Sequence, residues 1–459
     1  MPEWLEKLRR IVTVEPAIFF YMTSIFIMLP AYQQLVIEKV CKELHNNTCG
    51  HHEEDEEVES RSSYILLVYI TVLSLVAILP AILLGSWSDQ VGRKSVMVLP
   101  FILSLLSGGV LVAMVVVETM SVYWCLLAAG FIGLIGGHAS IFLSSFSYLA
   151  DVTTDSSSSR TLRMAVAESM IFVGGMVGFL LGGFLEQEFG LLEAFVAYLC
   201  CHVIAILYIL LWLRDPRPLS SALSFPSKEE GGQSDCENSQ SGPFLLKYAK
   251  LSLRAVFRRR SGQDRQKLQL LILCTFINNL VAVGEQSILL LYLKYKPREF
   301  TTEMFGAYNS ARMFLLGFGL LGLFPLLMRC FREMTLAKLS AVFRAASYVL
   351  LAFSTNTWMV FLVAVVATPA GITQAVIRSL SSAIVGPDEQ GAMFSFSASV
   401  EATCYLFGAI IFNGLYPQTL PTFPGMPFIV MAGFCIIVLI LMQWISEMPV
   451  THRRLLLQD

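Results

Sequence analysis

Stretches of about 20 residues with almost no charge recur along this chain, and that is the length a helix needs to cross a hydrocarbon layer about 30 Å thick. Inside lipid every backbone N–H and C=O must be satisfied within the segment, so each stretch is expected to be an α-helix. Only 14% of the 459 residues are charged and 55% are hydrophobic, whereas a soluble domain carries about 25% charged residues. That excludes a water-soluble globular fold. The net charge of −2 constrains less than the way the charge is distributed.

The pattern predicts an all-α integral membrane protein with twelve spans. The first six are Ala17 to Ile37, Ser63 to Ser86, Ser95 to Val117, Val122 to Leu149, Leu162 to Leu185 and Leu191 to Leu213. The second six are Leu268 to Leu293, Met304 to Leu327, Leu336 to Phe353, Trp358 to Ile384, Met393 to Leu415 and Phe428 to Ile445. Three parts follow: a six-helix bundle over 1–213, a central loop over 214–267, and a second six-helix bundle with a short tail over 268–459. Met1 to Pro16 is too charged for a signal peptide, so the first span is expected to stay in the chain.

Basic residues orient the spans. The segment from Arg214 to Lys267 holds eleven Lys and Arg, and Lys7, Arg9 and Arg10 precede span one. By the positive-inside rule both are cytoplasmic, and an even number of spans then puts both termini there. The stretch after span one falls outside. It contains a sequon at Asn46, the cysteines Cys41 and Cys49, which are close enough to pair in an oxidising compartment, and an acidic run from Glu53 to Glu59. Most other cysteines lie within apolar runs and read as small packing residues. Within the central segment, Ser220 to Pro243 has the composition of a flexible linker. Phe244 to Arg260 reads as a basic amphipathic helix on the inner leaflet, although Tyr248 to Leu251 also fits a tyrosine-based sorting pattern.

Between spans two and three lies Gly85-Ser-Trp-Ser-Asp89-Gln-Val-Gly92-Arg93-Lys94. Glycines at these positions permit a tight turn, and the acid and bases can pair with each other, with helix ends or with neighbouring charges. The stretch resembles the signature loop of the major facilitator superfamily. The resemblance implies two six-helix bundles and assigns Gly85, Asp89, Gly92, Arg93 and Lys94, with Asp151 and Arg163, to a cytoplasmic gate. A narrower resemblance rests on four stretches: Trp87-Ser-Asp-x-x-Gly-Arg93; Ala150-Asp-Val with Arg160 to Glu168; Val376-Ile-Arg378; and Glu389 to Phe394 with Phe412 to Pro417. These look like the solute-carrier family of the proton-coupled folate transporter, which also includes lysosomal carriers of steroid conjugates and bile acids. That family moves organic anions with a proton gradient.

Three buried charges carry the expected chemistry. Glu168, early in span five, must be protonated, paired or facing a water-filled cavity, and burial favours its neutral form. It matches the family's proton-coupling glutamate. Arg378 offers a planar fork suited to a carboxylate, and the family places an arginine for binding and coupling there. Glu285 in span seven is a third intramembrane carboxylate, able to pair with Arg378. His138, after Gly136-Gly137 in span four, could join the pH response. Asn279 and Gln286 are candidate substrate contacts, and Arg312, Arg344 and Glu401 are expected ion-pair partners. The family's span-seven histidine is replaced here by Ala282 and its nearby aspartate by Ser287. The turn after span seven, Lys294 to Thr302, has no cysteine. The match of Gly317 to Gly322 to a dinucleotide-binding pattern lacks the required strand, while Gly174, Gly178 and Gly182 form a small-residue face for close helix contact.

These readings converge on a proton-coupled symporter of folate-like organic anions that works by alternating access. No enzyme activity, metal, organic cofactor or nucleic-acid partner is expected; the coupling ion is the proton and the expected form is a monomer. The alternatives are a lysosomal exporter of steroid conjugates, bile acids or peptidoglycan fragments, an uncoupled facilitator, and a nutrient-sensing membrane protein. The expected location is the plasma membrane or an endosomal or lysosomal membrane.

Overall fold

The computed structural model describes residues 9, 12–44, 56–153, 157–214, 244–260, 262–295, 298, 300, 302–386, 389–420 and 422–448. The described helices before the linker are α1 (Glu15–Leu44), α2 (Glu56–Val91), α3 (Arg93–Val116), α4 (Cys125–Gly133), α5 (Ala139–Val152), α6 (Ser157–Glu188) and α7 (Leu191–Trp212). Helix α8 (Phe244–Phe257) belongs to the linker. After it come α9 (Asp264–Lys294), α10 (Thr302–Phe318), α11 (Phe324–Leu327), α12 (Glu333–Ala352), α13 (Thr357–Val366), α14 (Ile372–Ile384), α15 (Gln390–Thr419) and α16 (Met426–Glu447). Among the described residues there is no β-strand.

Ten helices are long and apolar enough to cross a membrane, and the bent pair Thr357–Val366 and Thr368–Ile384 makes an eleventh. The short apolar helices Val122–Gly133 and Ala139–Val152 follow one another where span four is expected; read as one interrupted crossing, they complete the twelve. The protein is thus a multi-pass membrane protein. Leu75, Leu106, Leu180, Leu211, Ile436 and Ile440 point their side chains outward, as a lipid-facing belt requires.

Local chemistry explains the interruptions. In span four, Gly136 and Gly137 have φ of +90° and +67°, a region that L side chains rarely enter. A Cβ on Gly136 would also stand 2.9 Å from the Ala81 backbone. The break in span ten is a 3₁₀ turn over Thr368–Gly371 with a 42° bend. Ser340 of α12 repairs its hydrogen bonding, donating to the Pro369 carbonyl at 2.7 Å and accepting from the Thr373 N–H at 3.2 Å. Gly317 to Gly322 is helical, with a π-helical stretch at Gly319–Leu323.

The glycine face of α6 packs against α1. Cβ atoms on Gly174 and Gly178 would fall 2.8 Å from the Phe19 carbonyl and 2.6 Å from the Thr23 carbonyl. This seam lies inside the first bundle, whereas the neighbouring Gly175 meets Met313 and Phe172 and Val173 meet Gly317 of α10. At the far end, buried Lys39 of α1 donates to the carbonyls of Val117, Glu118 and Met120 at 3.0, 3.0 and 3.3 Å. It thereby satisfies acceptors left free where α3 ends.

The two bundles meet through α2 with α15, α5 with α15, and α6 with α10 and α14. Several hydrogen bonds join them on the side nearer the linker. Thr161 bonds Ser379 at 2.5 Å and Glu333 at 2.7 Å. Ser395 donates to the Ala81 carbonyl and Ser399 to the Ile78 carbonyl. Phe146 packs against Phe394 with ring centroids 6.3 Å apart. The linker end of the interface is therefore shut.

Helix α8, expected as an amphipathic helix on the inner leaflet, lays one face on the protein itself. It packs on α2, α9 and α15, with Ser252, Ala255 and Val256 buried and Leu253 and Phe257 exposed. Ser252 donates to the Ile82 carbonyl at 2.6 Å, while Arg258 and Arg260 hold Glu389 at 2.8 and 3.0 Å. The helix is thus strapped from α2 of the first bundle to α9 and α15 of the second, with Ser252, Ala255 and Val256 turned inward.

Candidate functional site

A chain of charges crosses the middle of the interface. Glu168, 5% exposed, stands on α6 and accepts a hydrogen bond from Nη1 of Arg378 on α14. The other terminal nitrogen of Arg378 donates to Glu401 Oε1 on α15 at 3.0 Å. Its guanidinium carbon lies 4.5 Å from the Phe146 ring and 5.6 Å from the Phe142 ring, and a cation is attracted to such faces. One arginine is therefore held by a carboxylate from each bundle and by two aromatic rings of the first.

A second cluster lies wholly in the second bundle. Glu285 Oε2 on α9 accepts from Arg312 at 2.6 Å and from the Tyr348 hydroxyl at 2.8 Å. Arg344 donates to the side-chain and backbone oxygens of Asn278 at 3.2 and 3.3 Å, and its guanidinium lies 5.9 Å from the Tyr348 ring. Two cations share this cluster with one carboxylate. Among the described residues Arg344 bonds an amide and forms no salt bridge, so the cluster carries more positive than negative charge.

Glu285 thus pairs with Arg312, and Arg378 pairs with Glu168 and Glu401. The candidate substrate contacts Asn279 and Gln286 lie on one side of α9 with Ala282; Gln286 and Ala282 are exposed and Asn279 is half-buried. The Asn279 Nδ2 has no acceptor. His138 caps the start of α5, with Nδ1 3.3 Å from the Tyr21 hydroxyl; its described partner belongs to its own bundle. Sequence reasoning passed over Asn278, Tyr348 and Gln374. Gln374, one helical turn before Arg378, has both amide atoms buried without partners, and its spacing from Arg378 was the available signal.

At the linker end, Gly92 separates α2 from α3 with φ of +109°. Arg93 is fully buried and bonds Asp151 at 2.8 Å and Ser88 at 2.6 Å. Lys94 donates to the carbonyls of Leu210 and Leu213 at 2.7 and 3.0 Å. These described partners all belong to the first bundle, so the pairs brace it internally. Arg163 reaches the Thr13 hydroxyl at 3.3 Å. Gly85 and Asp89 lie within α2, with no surroundings described for either, and Asn46 and Cys49 lie outside the described residues. Cys41 is disulfide-bonded, and Cys125, Cys200, Cys201, Cys274, Cys330, Cys404 and Cys435 are free.

Two packed bundles with paired charges buried between them define a transporter. Residues 16–398 match the family model described as Major Facilitator Superfamily. The proton-coupled folate transporter of Bos taurus is 30% identical over 94% of this chain and 91% of its own length. The lysosomal proton-coupled steroid conjugate and bile acid symporter SLC46A3 of Gallus gallus is 26% identical over 95% and 94%. In fold, the human organic anion transporter MFSD10 matches with a TM-score of 0.75 at 18% identity, covering 96% of this chain and all of that one. A bacterial homologue of the iron transporter ferroportin, in its outward-facing state, matches at 0.64 and 14%, over 95% of this chain and all of its own. The chain belongs to the major facilitator superfamily and, within it, to the solute-carrier family of the proton-coupled folate transporter.

Proposed function

We propose that this protein is a proton-coupled symporter of organic anions, working by rocking its two bundles around the buried charges. The observation that carries this reading is the ion pair between Glu168 and Arg378 across the bundles, with Glu401 as a second partner for the arginine. A proton on Glu168 removes one of the two carboxylates on Arg378 and weakens the tie between the bundles. Arg378 stays neutralised by Glu401, so parting leaves no lone buried cation. The anion is drawn to the spare positive charge of Arg344 and Arg312, and the bundles then separate at the linker end. By the distribution of basic residues that end, with both termini, is cytoplasmic.

The relatives carry folate, or steroid conjugates and bile acids, as their names state. Folate-like anions are the first substrate class to test, with the protein in the plasma membrane. Ala282 and Ser287, where the resemblance leads to a histidine and an aspartate, favour a second reading: export of steroid conjugates or other organic anions from lysosomes. The test is uptake of labelled folate and of a steroid sulfate into proteoliposomes, with and without an inward proton gradient, by the native chain and Glu168→Gln. Gradient-driven uptake of one substrate, lost in Glu168→Gln while exchange persists, is expected. Uptake indifferent to the gradient, or equally stimulated in Glu168→Gln, overturns the proposal.

A further inference from the structure

At the outer end of the second bundle, the turn after α9 and the start of α13 frame an open cavity of about 680 Å³. It is lined by Arg298, Thr355, Asn356, Thr357, Trp358 and Phe361. Arg298 is 7% exposed and held on several sides. Its Nε donates to the Tyr292 carbonyl and its Nη1 to the Ser354 carbonyl, both at 2.9 Å. Its guanidinium carbon stands 3.5 Å from the centre of the Tyr292 ring, and that phenol is anchored by the carbonyls of Leu351 and Ala352. The remaining nitrogen, Nη2, is buried with no acceptor. The ionisable neighbours of Arg298 are the phenols of Tyr292 and Tyr416, and among the described residues no carboxylate balances its charge.

A fixed cation with an idle donor is costly unless something anionic arrives. The same cavity holds the N-terminus of the ten-residue helix α13, whose cap residue Asn356 makes no side-chain capping bond. The first helical N–H to find a backbone acceptor is that of Met359, bonded to the Asn356 carbonyl, so those of Thr357 and Trp358 are left to donate outward. The positive end of the helix dipole adds to the Arg298 charge. The remaining wall is apolar: Phe361, and the Trp358 indole, which is 64% exposed.

We propose that this cavity is an anion-binding site distinct from the central one. It takes the oxyanion group of an amphipathic organic anion, a carboxylate, sulfate or phosphate, whose apolar body lies on Trp358 and Phe361. The oxyanion is drawn by the positive charge of Arg298, which lines the cavity, and meets the first turn of α13. An anionic solute and an anionic lipid headgroup offer the same chemistry.

The test uses the full chain purified in neutral detergent and titrated with 4-nitrobenzoate, an aromatic carboxylate that quenches tryptophan. The Trp358 signal is the difference between the native chain and Trp358→Phe. Saturable quenching of Trp358 is expected, weakened about tenfold or more in Arg298→Gln, which removes the cavity's fixed cation, and unchanged in Arg344→Gln at the central site. If Arg298→Gln does not fold, Asn356→Asp places a negative charge beside the site without touching the bonds of Arg298, and the same weakening is expected. Absence of saturable Trp358 quenching, or affinity unaltered in both variants, overturns the proposal. In lipid nanodiscs, binding suppressed only by phosphatidylglycerol identifies a lipid headgroup as occupant, and equal affinity in neutral and anionic nanodiscs identifies a soluble anion.

Discussion

Arg378 donates to Glu168 of the opposite bundle and, 3.0 Å from its other terminal nitrogen, to Glu401 of its own. Removing one partner of an isolated buried ion pair costs about 3–5 kcal/mol, but here the arginine keeps a carboxylate when Glu168 takes a proton. Glu401→Gln deletes that reserve. Protonating Glu168 then strands Arg378, so more acid is needed to break the tie between the bundles. The pH of half-maximal uptake should move to lower values, measured as initial rate against external pH. An unmoved midpoint would remove Glu401 from the cycle.

Among the described residues Arg344 bonds Asn278 and faces the Tyr348 ring but forms no salt bridge of its own, which leaves its charge available to an anion. Arg344→Gln should raise KM for the transported anion about tenfold or more, the worth of one charge-assisted bond, and leave maximal velocity within about twofold. Concentration-dependent initial rates separate the two parameters. An unchanged KM would place the anion elsewhere.

Lys39 caps three carbonyls beyond the end of α3 from inside the protein. Lys39→Met keeps the stem and removes its donors; the Val117 carbonyl keeps the Met120 N–H, while those of Glu118 and Met120 lose the lysine, at about 1–3 kcal/mol for a buried acceptor. Thermal unfolding in detergent should show a lower Tm with substrate affinity unchanged.

His202 shows the opposite case. It is fully buried with both ring nitrogens unpartnered, stacked 5.7 Å from Tyr21 and packed 4.4 Å from Tyr198. His202→Phe keeps the aromatic contacts and removes the unmet polar atoms, so Tm should hold or rise. A marked fall would mean that those nitrogens have a partner in the folded protein.

Glu389 ties α8 to α15 through Arg258 and Arg260, while Ser252 ties α8 to α2. The linker end has to stretch this strap before it can open. Exposed pairs contribute about 0.2–1 kcal/mol, so Glu389→Gln should speed turnover up to about fivefold without altering KM. Counterflow measured against net uptake distinguishes a faster opening step from tighter binding.

The spans were legible because apolar length is a direct physical demand of lipid, and Glu168 and Arg378 stood out because charge inside a span is costly. Their pairing was less accessible: Arg378 lies 210 residues from Glu168, and Glu285, an equally plausible partner by sequence, turns instead to Arg312 and Tyr348. The Gly85 to Lys94 stretch marked the superfamily, and its bases were expected to meet neighbouring charges or helix ends, but which ones was not legible. Among their described bonds, Arg93 meets Asp151 and Ser88 and Lys94 meets the end of α7. Position along a chain says where a charge emerges, not which helix stands beside it. For α8 the amphipathic pattern was visible, but not that the protein itself would supply the covering surface.

The seam between α1 and α6 has a mechanical consequence. With Gly174 and Gly178 pressed against the carbonyls of Phe19 and Thr23, α6 has no room to slide or swivel against α1 on its own. Glu168, carried on α6, is bolted to the first bundle as a passenger. In the proposed cycle a proton on Glu168 would therefore need no wire to hop along: the aqueous compartment reaching the carboxylate would be selected by the tilt of the whole bundle.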